Sequence, residues 1–268
     1  MKRFFFFGII VLSSLGKAFA QGDLSDQTKI FYRNEISGAL LLNSNGWGLD
    51  FRSAKRVDAA NKFILDIDFD VLYHPKETKS YSQYSYGSAF VLGKQFIPFI
   101  FRASYGKQKE IFRKFDVGGI SVRRFLAIGP SLALLKPIYY EMAYSIQEYP
   151  GYEIKVERYN SEYINSYPYD PPIIGRASFF KGFNELDIVP GAFLKFGLSF
   201  EYSKLDKVLH AIEIGGFAEG FLKELPIMAT KQNYQFYLSL FVSYRFGKVL
   251  DPTVKKKKTK TKKEDFFY

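Results

Sequence analysis

The chain has 268 residues, a formal net charge of +11 and no cysteine. The lack of cysteine excludes a disulfide-stapled scaffold and a cysteine-ligated metal. Most of the positive excess lies in the first twenty residues and in the tail after Lys255, so the body of the chain is nearly balanced and a nucleic-acid surface is not indicated. Aromatic residues make up 19% of the chain, which is high for a soluble domain and ordinary for a protein with aromatic girdles at two membrane interfaces.

The N-terminus has the pattern of a secretory signal peptide. Two basic residues precede an apolar segment from Phe4 to Leu15, and an Ala-Phe-Ala cleavage motif ends at Ala20. The apolar segment is too short to span a membrane as a helix. We therefore predict a cleaved signal peptide at residues 1–20, followed by an N-terminal segment at 21–33.

From residue 34 onward, alternating segments of about ten residues are separated by turn signals, which is typical of a transmembrane β-barrel. The Asn-Gly pair at Asn45 and Gly46 predicts a tight hairpin turn. The predicted strands are 34–43, 47–52, 63–75, 84–94, 97–109, 116–127, 131–144, 189–203, 208–222 and 234–246.

The third predicted strand contains the sequence FILDIDFDVLYHP, in which apolar residues alternate strictly with three aspartates. Three carboxylates on one face of a strand repel one another unless basic side chains neutralise them. We expect Leu65 and Ile67 to face lipid. Asp66, Asp68 and Asp70 then face a small interior, where Arg52 on the neighbouring strand is the nearest partner.

The fold prediction is an all-β, antiparallel up-and-down transmembrane β-barrel over residues 34–247, with about ten strands and eight or twelve as alternatives. An even count places both termini on one side and makes the Tyr-rich segment 145–188 a long extracellular loop. That segment is too long for an ordinary connection, so it is either functional or mobile. A soluble β-sandwich or calycin-like barrel is the competing fold. The nearly pure apolar outer sets, the Gly- and Ser-rich opposite faces and the closing aromatic Phe246 weigh against it.

Three short motifs resemble known sequences. HPKE (His74–Glu77), GPSLALLKP (Gly129–Pro137) and the closing YRFGK resemble uncharacterised outer-membrane β-barrels of the Bacteroidota, which are Gram-negative. The resemblance implies a barrel fold and a location in the outer membrane, and it implies no activity.

Charged residues on the predicted inner face form a candidate network. They are Asp50, Arg52, Asp66, Asp68, Asp70, Arg102, Arg123, Lys195, Glu201, Glu213, Glu219 and Arg245. Such residues line a selective pore or pair with one another as a plug. Because narrow barrels are filled by side chains, and unpaired buried charges are costly, we favour the plug.

The sequence predicts no catalytic residue, no metal site and no cofactor. Its two histidines, His74 and His210, fall at opposite ends of the predicted barrel, so they cannot form one site. His74 beside Glu77 is the best candidate for an enzyme at the rim, and a loop histidine followed by a strand-ending proline is the simpler interpretation.

The C-terminal segment 248–268 is predicted to be a basic periplasmic tail. Its lysines are Lys255, Lys256, Lys257, Lys258, Lys260, Lys262 and Lys263. Such a run is usually solvated, and it would attract anionic peptidoglycan or a periplasmic or envelope protein.

The predicted function is a structural, binding or envelope-assembly role for a monomer embedded in outer-membrane lipid. A narrow channel and a lipid- or peptide-modifying barrel enzyme are the alternatives.

Overall fold

The computed structural model describes residues 34–81, 89–114, 118–145, 151–159, 173–205, 207–230 and 233–250. The predicted signal peptide, the segment 21–33 and the tail lysines lie outside the described residues. The strands of the described part are β1 (Asn34–Asn43), β2 (Gly46–Arg56), β3 (Asn61–Leu72), β4 (Lys79–Ser80), β5 (Phe90–Val91), β6 (Phe96–Phe112), β7 (Ser121–Pro137), β8 (Tyr139–Ser145), β9 (Tyr152–Arg158), β10 (Ile173–Arg176), β11 (Asp187–Glu201), β12 (Val208–Phe221) and β13 (Phe236–Leu250). A short 3-10 helix spans Phe183–Glu185.

Eight of these strands form a closed antiparallel barrel in the order β1-β13-β12-β11-β7-β6-β3-β2. Each barrel strand pairs with the barrel strands before and after it in the chain. β1 and β13 close the ring, with Asn34 opposite Leu250 and Asn43 opposite Phe241. Closure leaves no open sheet edge, which is the condition for a sheet to cross lipid. No helix with the length and apolarity of a membrane span occurs in the described part of the chain.

The closed barrel has eight strands, which matches one of the predicted alternatives and corrects the main count of ten. One reason for the difference is the Gly129-Pro130 pair. The predicted strands 116–127 and 131–144 lie on either side of this pair, whereas β7 runs straight through it. A Cβ atom on Gly129 would lie 1.9 Å from the carbonyl oxygen of Ala103. Gly129 therefore allows β6 and β7 to approach closely, and Pro130 projects to the exposed outer face, where it is tolerated.

The second reason is the segment predicted as a strand at 84–94. Of the residues described there, only Phe90 and Val91 are in a strand, β5, which pairs with β4 outside the barrel. Phe90 is buried in an apolar cluster with residues of the 138–186 connection, so its hydrophobicity serves that cluster and not the barrel wall.

The two ends of the barrel differ. At the end where Asn34 and Leu250 lie, called the terminal end, the connections are short: 57–60, 113–120 and 202–207. At the opposite end, called the loop end, a two-residue turn at 44–45 accompanies the longer connections 73–95, 138–186 and 222–235.

The segment 145–188, predicted without regular structure, contains β9 and β10, which pair on either side of β8 in a three-stranded sheet called the loop sheet. Its strands are too short to produce a sustained alternation. Tyr140 and Met142 of β8 pack with Ile138 and Ile173 against Val71 on the outer wall of β3. The loop sheet therefore covers part of the outer wall at the loop end.

The rest of the outer wall carries a broad band of exposed apolar side chains. Side chains exposing between 42% and 72% of their surface include Ile36, Leu40, Leu42, Phe51, Leu65, Ile67, Leu126, Ile128, Ile212, Ile214, Leu238, Leu240 and Val242. Aromatic residues with polar tips lie above and below them. At the loop end Trp47 Nε1 donates to Tyr73 Oη at 3.2 Å. At the terminal end the His210 ring stacks between Tyr202 and Tyr244, each centroid 6.2 Å away.

We expect Gly129→Ala to destabilise the barrel by about 1–3 kcal/mol, because the added methyl group would push β7 away from the backbone of β6. Gly38→Ala is the matched control, since the nearest atom to its added Cβ lies at 3.7 Å. Urea titration followed by the heat-modifiable gel mobility of the folded barrel measures both. Equal midpoints for the two variants would contradict the close approach at Gly129.

Candidate functional site: the charged interior and the loop end

The barrel interior holds all twelve charged residues that the sequence placed on the inner face. Each of them exposes 9% or less of its surface: Asp50, Arg52, Asp66, Asp68, Asp70, Arg102, Arg123, Lys195, Glu201, Glu213, Glu219 and Arg245. They come from seven of the eight strands and form three groups along the barrel axis. The inner and outer positions follow directly from the period-two alternation of the strands.

The middle group centres on Arg52 of β2. Its Nε and Nη2 donate to the two carboxylate oxygens of Asp66 at 2.8 and 2.7 Å, and its Nη1 donates to Glu213 Oε1 at 2.7 Å. Asp66 lies on the adjacent β3, while Glu213 lies on β12 across the interior. One guanidinium thus links strands on opposite walls, using the planar fork that suits two carboxylates.

Lys195 of β11 reaches the acids of β2 and β3. Its Nζ forms an ion pair with Asp50, donates to Asp68 Oδ1 at 2.7 Å and lies 3.4 Å from Asp66 Oδ2. Arg245 of β13 completes the group. Its Nη2 lies 2.8 Å from Asp50 Oδ1 and donates to Glu213 Oε2 at 3.0 Å. The aspartates of β3 are therefore neutralised by cations from other strands.

The group nearer the loop end centres on Arg102 of β6. Its Nε and Nη2 donate to the two carboxylate oxygens of Glu219 at 2.9 and 2.8 Å, and its Nη1 pairs with Asp70. The Asp70 carboxylate lies over Gly48 on β2, where an added Cβ would be 1.5 Å from Asp70 Oδ1. Gly48 therefore provides the space for this carboxylate.

The group at the terminal end includes residues that the sequence interpretation missed. Arg123 pairs with Glu201 and with Glu35, whose carboxylate also pairs with Lys62. Lys114 donates to Glu201 Oε1 at 3.1 Å. Glu35 and Lys62 are in the inward phase of β1 and β3, so extending each alternation toward the strand's first residue would have found them.

The predicted interior also omitted four inward phenylalanines. They are Phe125, Phe193, Phe217 and Phe241. The Arg102 guanidinium lies 4.7 Å from the centroid of the Phe217 ring, and the Arg52 guanidinium lies 4.9 Å from that of Phe125. These rings fill the space between the ion pairs, and their faces attract the cations.

Apolar side chains fill the interior at the loop end. Inward residues of the strands, among them Leu135 and Phe221, pack with Leu225, Ile227 and Met228 of the β12–β13 connection. Backbone hydrogen bonds hold that connection in place, since the amide groups of Gln95 and Phe96 donate to the Ile227 carbonyl oxygen at 2.9 and 3.3 Å. This cluster, called the loop-end cap, covers the charged groups on that side.

His74 lies at the loop end, far along the chain and the barrel from His210, which pairs with Phe246 near the terminal end. The His74 amide donates to Glu77 Oε1 at 2.9 Å, and its Nδ1 accepts from the Lys76 amide at 3.1 Å. Lys94 Nζ donates to Glu77 Oε2 at 2.6 Å, and burial lowers the pKa of Lys94 although Glu77 opposes the effect. These contacts are those of a hydrogen-bonded turn.

A pocket of about 390 Å³ opens beside this turn at the outer rim, with Trp47 and Tyr73 among its lining residues. In the described residues, no group of three or more His, Cys, Asp or Glu side chains has a geometry that could hold a metal ion.

Asp66 and Asp68 provide a matched pair of substitutions. Asp66→Asn removes the bidentate hydrogen bond to Arg52 and leaves a buried guanidinium partly unpaired. We therefore expect the free energy of unfolding to fall by about 3–5 kcal/mol. Asp68 makes one bond to Lys195, and its Oδ2 has no hydrogen-bond partner among the described residues, so Asp68→Asn should cost about 1 kcal/mol or less. Urea unfolding in vesicles compares the two. A greater loss for Asp68→Asn would contradict the described pairing.

No protein-family model matches the chain, and no curated protein matches it. Solved structures that align with it include Neisserial surface protein A, with a TM-score of 0.35 and 10% identity, covering 81% of this chain and 96% of that one. Ail, the attachment invasion locus protein of Yersinia pestis, aligns with a TM-score of 0.35 and 8% identity over 82% of this chain and 99% of that one. The N-terminal β-barrel domain of Pseudomonas aeruginosa OprF aligns with a TM-score of 0.33 and 10% identity over 80% and 99%. At these identities and scores, the likeness identifies neither a family nor an activity.

Proposed function

We propose that the protein is a monomeric outer-membrane β-barrel of a Gram-negative bacterium with a structural or binding role at the loop end. One observation carries the proposal. The closed barrel buries a network of paired charges inside and exposes Leu, Ile and Phe side chains around its outer wall. In water this arrangement would expose a far larger apolar area than a soluble protein tolerates, whereas lipid requires it.

The filled interior supports an anchoring role over transport. Paired charges and phenylalanine rings occupy the middle of the barrel, and the loop-end cap covers one end. Water-filled channels belong to barrels with about twice as many strands. The narrow channel therefore becomes the alternative that a conductance measurement decides.

The loop sheet is the proposed binding element. Among the described strands, β9 lies at one edge of this sheet, with Tyr152 and Ile154 exposed, and β10 lies at the other edge. An edge strand with exposed backbone groups and large side chains is a ready site for another extended chain. The basic tail, outside the described residues, is proposed to contact peptidoglycan or an envelope protein from the other side of the membrane.

We propose no enzymatic activity. Glu77 bonds to the His74 backbone and to Lys94, which fits a structural turn better than a carboxylate that orients a catalytic imidazole. Substitution of His74 without loss of any cellular phenotype would agree with this proposal.

Flotation with lipid vesicles and planar-bilayer recording test the proposal together. We expect the folded chain, recognised by its heat-modifiable gel mobility, to float with vesicles and to show no steady conductance. Leu225→Ser combined with Ile227→Ser should weaken the loop-end cap without preventing flotation. Failure to float would contradict the membrane span, and steady conductance by the unmodified chain would favour the channel.

Co-sedimentation with purified peptidoglycan tests the tail. At low salt we expect the full chain to sediment with peptidoglycan and a chain lacking residues 255–268 to remain in the supernatant, because the lysines supply the attraction and salt screens it. Unchanged sedimentation of the shortened chain would contradict this role of the tail.

A further inference from the structure

The outer wall of the barrel carries an asymmetric set of charges. In the half of the wall nearer the terminal end, the outward positions of the eight strands, all of which are described, carry basic residues and no Asp or Glu. The basic residues are Lys55, Lys107, Lys109, Arg124 and Lys248. A charged side chain on a lipid-facing wall costs free energy that is largest at the middle of the apolar band and small near its edges.

Four of these residues lie together because of the strand register. Lys55 and Lys107 lie on either side of Phe63 in one row across β2, β3 and β6. Lys109 lies two residues beyond Lys107 on the same face and is directly opposite Arg124 on β7. We call Lys55, Lys107, Lys109 and Arg124, with Phe63 at their centre, the cationic patch.

The cationic patch is exposed and lacks acids. All four basic side chains are exposed, and none forms a hydrogen bond or an ion pair with another described residue. The interior cations Arg52, Arg102 and Lys195 differ in this respect, because each is bound by at least two carboxylates. Within the described part of the chain, the barrel therefore supplies counter-charges inside and none to the cationic patch.

The pairing of Lys109 with Arg124 is unfavourable by itself. Like charges directly opposite each other on an antiparallel pair of strands repel. An anion bound between them removes the repulsion, and a phosphate accepts hydrogen bonds from both a guanidinium and an ammonium group. The register thus favours a bound anionic group at this point of the wall.

The surroundings of the cationic patch indicate that the anion carries apolar chains. On the membrane side, the patch continues into Leu65, Tyr105 and Leu126, which are exposed and apolar or aromatic. Phe63 stacks on Tyr105 with centroids 5.5 Å apart, and Lys107 Nζ lies 5.7 Å from the centroid of Phe63. The Phe63 and Tyr105 rings thus lie between the lysines and the apolar wall. This arrangement suits a lipid whose head group contacts the lysines and whose acyl chains lie along the wall.

We propose that the cationic patch binds the phosphate of an anionic glycerophospholipid, of the phosphatidylglycerol type, in the membrane leaflet at the terminal end. Arg124 and Lys109 contact the phosphate, Lys107 and Lys55 contribute positive potential, and the acyl chains lie against Leu65 and Leu126. The proposal rests on the membrane span proposed above. If the site binds this lipid, the terminal end of the barrel lies in a leaflet that contains anionic phospholipid.

Native mass spectrometry of the full chain tests the site. The folded protein in a neutral detergent is mixed with equal amounts of phosphatidylglycerol and phosphatidylethanolamine carrying the same acyl chains. We expect the protein to retain phosphatidylglycerol about tenfold over phosphatidylethanolamine. The variant K55Q/K107Q/K109Q/R124Q should lose this preference, while its heat-modifiable mobility shows that it is still folded.

The matched control is K76Q/K181Q/K204Q/K223Q, which removes the same number of charges from exposed positions outside the cationic patch. It should keep the tenfold preference. Equal retention of both lipids by the unmodified protein, or an unchanged preference in the patch variant, would overturn the proposal. Vesicle flotation distinguishes failure of the membrane span from failure of the lipid site. A chain that does not float contradicts the membrane span, whereas a chain that floats but shows no lipid preference contradicts the site alone.

Discussion

The structure depends on the pairing of charges that its strands bury in the barrel interior. Arg52 illustrates the constraint, because one guanidinium joins Asp66 on the adjacent strand to Glu213 on the opposite wall. A carboxylate or guanidinium buried without a partner costs several kcal/mol, so a barrel with this interior is stable only if every strand arrives in register. The ion pairs therefore specify the closed eight-stranded barrel, and the inward phenylalanine side chains fill the space between the ion pairs.

The interior in turn determines what each surface of the molecule can do. With the middle filled and the loop-end cap in place, the interior side chains hold the walls of the barrel together. The surfaces that remain for interaction are the loop sheet, the apolar wall and the terminal end. The wall is apolar where it would meet acyl chains and basic where it would meet phosphates, which fits a barrel with a fixed orientation between two different leaflets.

Alternation alone was enough to place the aspartates of β3 on the inner face. Because side chains alternate with a period of two, the outward position of the apolar residues puts every aspartate between them on the inner face. The strand count needed information that alternation does not carry. Gly129 and Pro130 have the composition of a turn, yet a close contact between β6 and β7 explains the glycine. Segment 84–94 is apolar because Phe90 packs under the loop sheet. The ion pair between Glu35 on β1 and Lys62 on β3 likewise depends on both strands pairing with β2, which no local pattern shows.

The most direct measurement of whether the apolar side chains of the barrel face lipid uses single cysteines, because the chain contains none of its own. Cysteines placed one at a time from Leu238 to Val242 on β13 would carry an environment-sensitive fluorophore in vesicles containing a lipid-borne quencher. We expect quenching that alternates with a period of two. It should be strong at 238, 240 and 242, whose side chains are exposed on the wall, and weak at 239 and 241, which are buried inside. Strong quenching at 239 and 241, or no alternation, would contradict this arrangement.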